Sequence, residues 1–276
     1  MEPDTTGAVE RAHLRAPGDR SHTMSRYAPP ADLAPLVQRF WIPVWSVPPG
    51  QESVQRVLQY PVGLVVVSTG YARFYGVVTG LSETVLAGEG WAVGVMLTPA
   101  AGSLVSGVDM STLTDRHVDI GELLGDPGRE LADRVRTAMT RDPRDPAAHA
   151  AATAAFGDLL RPSLPVDAEG ELVDRVVELV ETRPDLVRVG QLCEATGLGE
   201  RTLQRLVQRR LGLTPKWLVQ RRRLQEAAER LRTGEGSLAA TAALLGYADQ
   251  AHFSRDWTSV VGTPPGRFVA EHRRPG

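Results

Sequence analysis

The sequence predicts an α+β chain: a small N-terminal antiparallel β-barrel or sandwich with flanking helices, then an all-α C-terminal domain of seven helices with two helix-turn-helix units. Three observations carry that prediction. Between Phe40 and Leu97, six β-rich runs recur at roughly ten-residue spacing. Between Val189 and Phe268, a short helix, a tight turn and a second helix occur twice, each copy with a glycine at its turn and a closing Gly-x-Thr-Pro or Gly-Thr-Pro-Pro. Charge is also divided: residues 201–276 carry 14 Lys plus Arg against 6 Asp plus Glu, a net of +8, although the whole chain has a net of −2.

Composition sets the frame. At 276 residues the chain holds two domains, each large enough to bury its own core. The 42% hydrophobic and 23% charged content is that of a soluble globular protein. No apolar run approaches the roughly 20 residues of a membrane helix, and the N-terminus lacks the basic-then-apolar order of a signal peptide, so the expectation is a cytoplasmic protein with no membrane partner. The single cysteine, Cys193, cannot form an intrachain disulfide and falls on the apolar face of a predicted helix, as a small core residue does. Lys216 is the one lysine, which reads as coding bias toward arginine. The acidic first part and basic last part suit a chain that presents one end to a polyanion.

Residues 1–28 are polar and without apolar periodicity, and are expected to be a disordered arm, with Met24 as an alternative start. The N-terminal domain is placed at 29–162. ADLAPLVQRFW (31–41) opens it with a short helix near Asp32. The β-rich runs follow: FWIPVWSV, VQRVLQYP, GLVVVST, ARFYGVVTG, ETVLAGEG and WAVGVML. Pro43 and Pro48 confine the first run to an edge or a break. Trp41, Trp45, Tyr60, Tyr71, Phe74, Tyr75 and Trp91 either fill the core of this domain or line a ligand pocket. Helical patterns then run through AAGSLVSG, 118–125, 129–139 and 146–160, where Leu131, Val135 and Met139, and Ala151, Ala155 and Leu159, recur at helical spacing. RPSLPVDAEGE (161–171) is the linker.

The C-terminal domain is placed at 168–276. Residues 171–185 form an amphipathic helix with Leu172, Val176, Val177 and Leu179 on one side. In the first unit, Val189, Leu192 and Cys193 face inward, Gly197 permits the turn, and Leu203, Leu206 and Val207 form the inner face of the helix that starts near Glu200. Arg201, Thr202, Gln204, Arg205, Gln208 and Arg209 are left outward. These are long or hydroxylic donors of the kind that pair with base edges and phosphates in a major groove. Thr214 and Pro215 fit the N-cap and first position of a connecting helix over 215–231, which acts as a ruler between two reading heads. In the second unit Leu238, Ala242 and Leu245 face inward, Gly246 marks the turn, and Phe253, Trp257 and Val260 form the inner face of a helix starting near Asp249. Gln250, Ala251, His252, Ser254 and Arg255 stay outward, and Phe268 closes the core from a last short helix.

These motifs carry a resemblance. ATGLGERTLQRL followed by GLTP, the connecting RRRLQEAAERL, and above all GYADQAHFSRDW followed by GTPP resemble the DNA-binding domain of the AraC/XylS transcriptional regulators over residues 171–270. The resemblance implies promoter DNA as partner, read in two successive major grooves. It implies base reading by Arg201, Gln204 and Arg205 in the first unit and by Gln250, Ser254 and Arg255 in the second, with Thr202, Lys216 and His252 placed for phosphates. Ala251 and Asp256 depart from the family pattern, which points to a weaker second unit. Residues 36–124 are similar, less specifically, to sensory domains of a subgroup of the family, through YGVVTG, GWAVGVMLTPAAG and LTDRHVDIGELLG. That likeness implies an effector-binding or dimerising N-terminal domain, leaving a small-molecule effector, a homodimer and RNA polymerase as further partners and the effector unidentified.

Two other readings stand beside this one. The N-terminal domain could be a dimerisation scaffold without a ligand. An enzyme with a DNA-binding appendage would need clustered His, Cys, Asp or Glu, and His117 and His149 lack spaced partners, while Asp115, Arg116 and His117 in succession read as a loop surface. The expectation is therefore no catalytic residues, no metal and no cofactor.

Overall fold

The computed structural model describes Leu14 and residues 20–272. Eight strands form the N-terminal part: β1 (His22–Tyr27), β2 (Val37–Ser46), β3 (Ser53–Val57), β4 (Leu64–Ser68), β5 (Ala72–Tyr75), β6 (Ser82–Leu86), β7 (Glu89–Leu97) and β8 (His117–Asp119). Six of them make an antiparallel sheet in the order β1-β2-β7-β4-β5-β8, and β3 pairs with β6 as a separate ribbon. The six runs expected from sequence are all strands, but β1 and β8 were not foreseen. β1 overturns the arm over its six residues: the polar HTMSRY run pairs along its whole length with β2, from His22 opposite Trp45 to Tyr27 opposite Phe40. The rest of the expected arm lies outside the described residues, Leu14 and residues 20, 21 and 28 excepted. Leu14 donates its backbone N–H to the Arg56 carbonyl.

β2 also departs from expectation. It lies between β1 and β7 and runs through Pro43, which is neither at an edge nor at the strand's end. Proline lacks the donor an interior strand needs, and the ladder to β7 skips Ile42 and Pro43. Before β2, residues 31–36 form turns instead of the short helix, with the Val37 N–H bonded to the Leu33 carbonyl.

One face of the six-stranded sheet is packed by helices. Phe40, Ile42, Val44, Val65, Val67, Phe74, Trp91, Val93, Val95 and Leu97 form a core with Leu131, Val135 and Met139 of α3 (Asp126–Met139) and Ala152, Ala155, Phe156 and Leu160 of α4 (Pro146–Leu160). Ala151 is exposed, so the buried stripe of α4 is one position out of the phase expected. Of the seven aromatics singled out, Phe74 and Trp91 are buried in this core; Trp41, Trp45, Tyr60, Tyr71 and Tyr75 are half-buried. Trp41 and Trp45 lie on the other face over Gly94 and Gly90, where a Cβ would strike the indoles. Two short helices, α1 (Ala101–Ser106) and α2 (Ile120–Leu124), complete the N-terminal part.

The linker is shorter than expected. A 3-10 turn fills Arg161–Ser163 and α5 begins at Ala168, capped by Asp167, whose carboxylate accepts the Gly170 N–H. The C-terminal part then holds seven helices among the described residues: α5 (Ala168–Thr182), α6 (Val189–Thr196), α7 (Glu200–Leu211), α8 (Pro215–Thr233), α9 (Leu238–Leu244), α10 (Gln250–Val261) and α11 (Pro265–His272). α8 packs on α5, α6 and α7 at one end and on α9 and α11 at the other. None of the described helices is long and apolar enough to cross a membrane.

Candidate nucleic-acid interface

The first unit is α6, a turn and α7. Gln191 folds back so that its side-chain oxygen accepts the N–H groups of Val187 and Arg188, each at 3.0 Å, which satisfies two donors at the start of α6. Gly197 takes the left-handed conformation that ends the helix and makes the turn. On α7, Leu203, Leu206, Val207 and Leu211 are buried and hold it against α5, α6 and the start of α8. The opposite face carries Arg201, Thr202, Gln204, Arg205 and Gln208, all exposed.

The cations of α7 divide into two groups. Arg209, expected to face outward as a free donor, is ion-paired to Glu169. Arg210 is buried and ion-paired to Asp167 and Glu169, the last reached at 3.1 Å. Burial pulls the Asp167 carboxyl up, but the Arg210 guanidinium and the Gly170 N–H more than offset this and hold it low. Arg201 and Arg205, in the N-terminal half, pair with no carboxylate among the described residues. In helix-turn-helix proteins that bind DNA, it is the N-terminal residues of the second helix that contact base edges.

Helix α8 starts where expected: Thr214 caps it by accepting the Trp217 N–H at 3.1 Å, and Pro215 occupies its first turn. Lys216 is exposed there. With 19 residues the helix is about 28 Å long.

The second unit repeats the design with different parts. Ser237 caps α9 and Asp249 caps α10, its carboxylate accepting the His252 N–H at 2.7 Å. Gly246, at φ +74, makes the turn. Phe253 and Trp257 are fully buried; Trp257 meets Phe253 at 5.9 Å and Phe268 at 5.1 Å, edge to face. Val261 is buried and Val260 only half-buried, a shift of one position from the expected inner face. Gln250, Ala251, His252 and Arg255 are exposed, and Ser254 is half-buried. The His252 ring stands edge-on to Tyr247 at 5.2 Å, so this exposed residue is also braced. Burial pushes the Tyr247 hydroxyl up to about 12; Arg223, over the ring at 3.6 Å, opposes this and Asp256 adds to it. Asp256 therefore has a neighbour inside its own domain that sequence reasoning missed.

Among the described residues no three His, Cys, Asp or Glu side chains are grouped as a metal would require. The geometry is instead that of two helices presenting polar donors from a domain whose residues 201–276 are net +8.

Comparisons with known proteins match different parts of the chain. Residues 192–271 fit a family described as a Helix-turn-helix domain. Residues 25–119 fit one described as a Domain of unknown function (DUF6597). The transcriptional activator NphR of a Rhodococcus species is 34% identical over 104 residues, which is 38% of this chain and 30% of that protein. The HTH-type transcriptional activator RhaS of Pectobacterium carotovorum subsp. carotovorum (strain PC1) is 33% identical over 79 residues, 29% of this chain and 28% of that one. The chain thus spans less than a third of the length of either relative. Among solved structures, ToxT from Vibrio cholerae O395 aligns over 93% of this chain and 100% of its own, at 14% identity and a TM-score of 0.40. The two helix-turn-helix units with their closing turns thus fall in the stretch that matches a helix-turn-helix family, and the chain is similar over part of its length to transcriptional activators.

Proposed function

We propose that the protein is a transcriptional regulator that binds double-stranded promoter DNA, with α7 and α10 in successive major grooves. The observation that carries this reading is the exposed row Arg201, Gln204, Arg205 and Gln208 on α7, held by a fully buried opposite face and kept apart from the linker acids that engage Arg209 and Arg210. Arg201 and Arg205 suit guanine, Gln204 and Gln250 adenine, and Thr202, Lys216 and His252 the phosphates that fix register. Ser254 and Arg255 complete the second reader. Affinity comes largely from counterion release and falls with salt; discrimination comes from the few base contacts. Both matched relatives carry the name of transcriptional activator, which favours RNA polymerase as a further partner. The N-terminal domain controls activity through an effector or through dimerisation, and sedimentation of the full chain with and without a metabolite panel separates the two.

The test is a gel shift on duplexes selected by the full chain from a random pool. Arg201→Ala with Arg205→Ala should abolish sequence preference, each base contact being worth about 1–3 kcal/mol. Arg205→Ala should cost more than Arg255→Ala, because Ala251 offers no donor beside Arg255. Retained preference in the double variant would refute the assignment.

A further inference from the structure

Helix α8 is gripped by the N-terminal domain along one face. Trp217, Arg221 and Gln225 recur at every fourth residue and so line up on that face. The Trp217 indole N–H donates to the Thr79 carbonyl at 3.2 Å. Arg221 donates through Nη2 to the carbonyls of Thr79 at 2.5 Å and Gly80 at 3.0 Å, and its guanidinium stacks on Trp217 at 4.6 Å. Gln225 donates through Nε2 to the Leu58 carbonyl at 2.8 Å. Arg221 is only 3% exposed, and its burial lowers its pKa to about 10. A cation desolvated to this degree would not be tolerated unless its position were fixed by those carbonyls. The loop that presents Thr79 is itself held by Asp115, whose carboxylate accepts the Thr79 N–H at 2.6 Å and its hydroxyl at 2.7 Å.

The same domain reaches both helix-turn-helix cores. Val77 and Ala100 are part of the apolar cluster of the first unit. Leu58, fully buried, is part of the cluster of the second, with Leu224, Ala228, Leu245, Phe253 and Trp257. At the end of α7, the Thr114 hydroxyl donates to the Gly212 carbonyl at 2.8 Å, and Arg210 donates to the Ser103 hydroxyl at 3.1 Å. All of these contacts leave the exposed faces of α7 and α10 uncovered. The docked arrangement therefore does not mask the readers.

We propose that the N-terminal domain is a positioning part of the DNA reader. By holding α8 through Arg221 and Gln225 and completing both unit cores, it fixes the angle and separation between α7 and α10, so that the two grooves are engaged as one event. This rests on the reading of α7 and α10 as the groove-contacting helices. When the two heads are rigidly joined, the second contact is intramolecular and pays little further ordering; when the joint is loose, that advantage is lost. Arg221 and Gln225 act through α8 and touch no DNA.

The test uses the full chain and a duplex it selects from a random pool, beside the same duplex with one half-site scrambled. Arg221→Leu with Gln225→Leu removes the donors but keeps apolar bulk. It should weaken binding to the intact duplex about tenfold or more while leaving the single half-site within about twofold, and Arg221→Lys should restore most of the loss. Equal loss on both duplexes, or tighter binding by the double variant, would overturn the proposal, the second outcome making the grip inhibitory. Should the double variant not fold, the unaltered chain still decides: about 5 bp inserted between the half-sites, half a turn, should bring affinity down to the single half-site level, and avidity that survives the insertion overturns it. If the unaltered chain selects no duplex at all, the DNA reading itself fails.

Discussion

Gly212 and Gly262 occupy the same place in the two units, the left-handed residue after the second helix, at φ +72 and +78. Their surroundings differ. A Cβ at Gly262 would enter open space, whereas one at Gly212 would strike the Met110 carbonyl and the Thr114 hydroxyl of the N-terminal domain. Gly262→Ala should therefore cost only the left-handed backbone penalty, about 1–2 kcal/mol. Gly212→Ala should cost distinctly more, which chemical denaturation of the two variants measures side by side. The sequence shows both residues equally well, as GLTP and GTPP. What it does not show is the neighbour 98 residues away that makes one of them irreplaceable.

At the scale of the element, α10 depends on its cap. Asp249 satisfies the His252 N–H at the helix start, and Asp249→Ala should destabilise the chain by about 1 kcal/mol in urea unfolding while leaving α7 intact. The turns at Gly197 and Gly246, the Thr214 cap and most of the inner faces of α7 and α10 are legible because Leu, Val, Phe and Trp stand at helical spacing against charged neighbours; the caps at Asp167 and Ser237 and the buried Val173, Val180 and Val261 are not among the residues that spacing picks out. Contrast fails elsewhere. In α4 both the buried Ala148, Ala152 and Ala155 and the exposed Ala147, Ala151 and Ala154 are alanine, so periodicity cannot choose the face, and Phe156 and Leu160 decide it. β1 escaped notice because HTMSRY has no run of apolar residues; its pairing to β2 rests on main-chain hydrogen bonds that any sequence supplies. Arg209 reads as a groove donor until the fold brings Glu169 beside it.

Across the whole molecule, Asp174 of α5 accepts the Ala100 N–H at 2.8 Å and so joins the two parts. Burial raises its pKa to about 6, the Ala100 bond opposing this and Glu178 adding to it. A carboxyl raised above its unfolded value of 3.8 favours the fold most when protonated, so this contribution is full below about pH 4 and is lost as pH rises through about 6. Asp174→Asn keeps an acceptor and removes the charge; its melting temperature should exceed that of the unaltered chain at pH 8, and the gap should close toward pH 4. The contact between the parts was not legible in sequence, since α8 meets the N-terminal domain largely at main-chain carbonyls. The donors Trp217, Arg221 and Gln225 look like ordinary surface residues of a helix, and the acceptors leave no mark in the letters at all. A consequence follows for inheritance and for grafting. Gly80 has open space where a side chain would go, so substitution there leaves its oxygen in place, whereas one residue inserted or deleted between Leu58 and Gly80 displaces the acceptors. The grip on α8 is therefore sensitive to loop length, and a foreign sensory domain joined to these helices would have to present its carbonyls at the same three points.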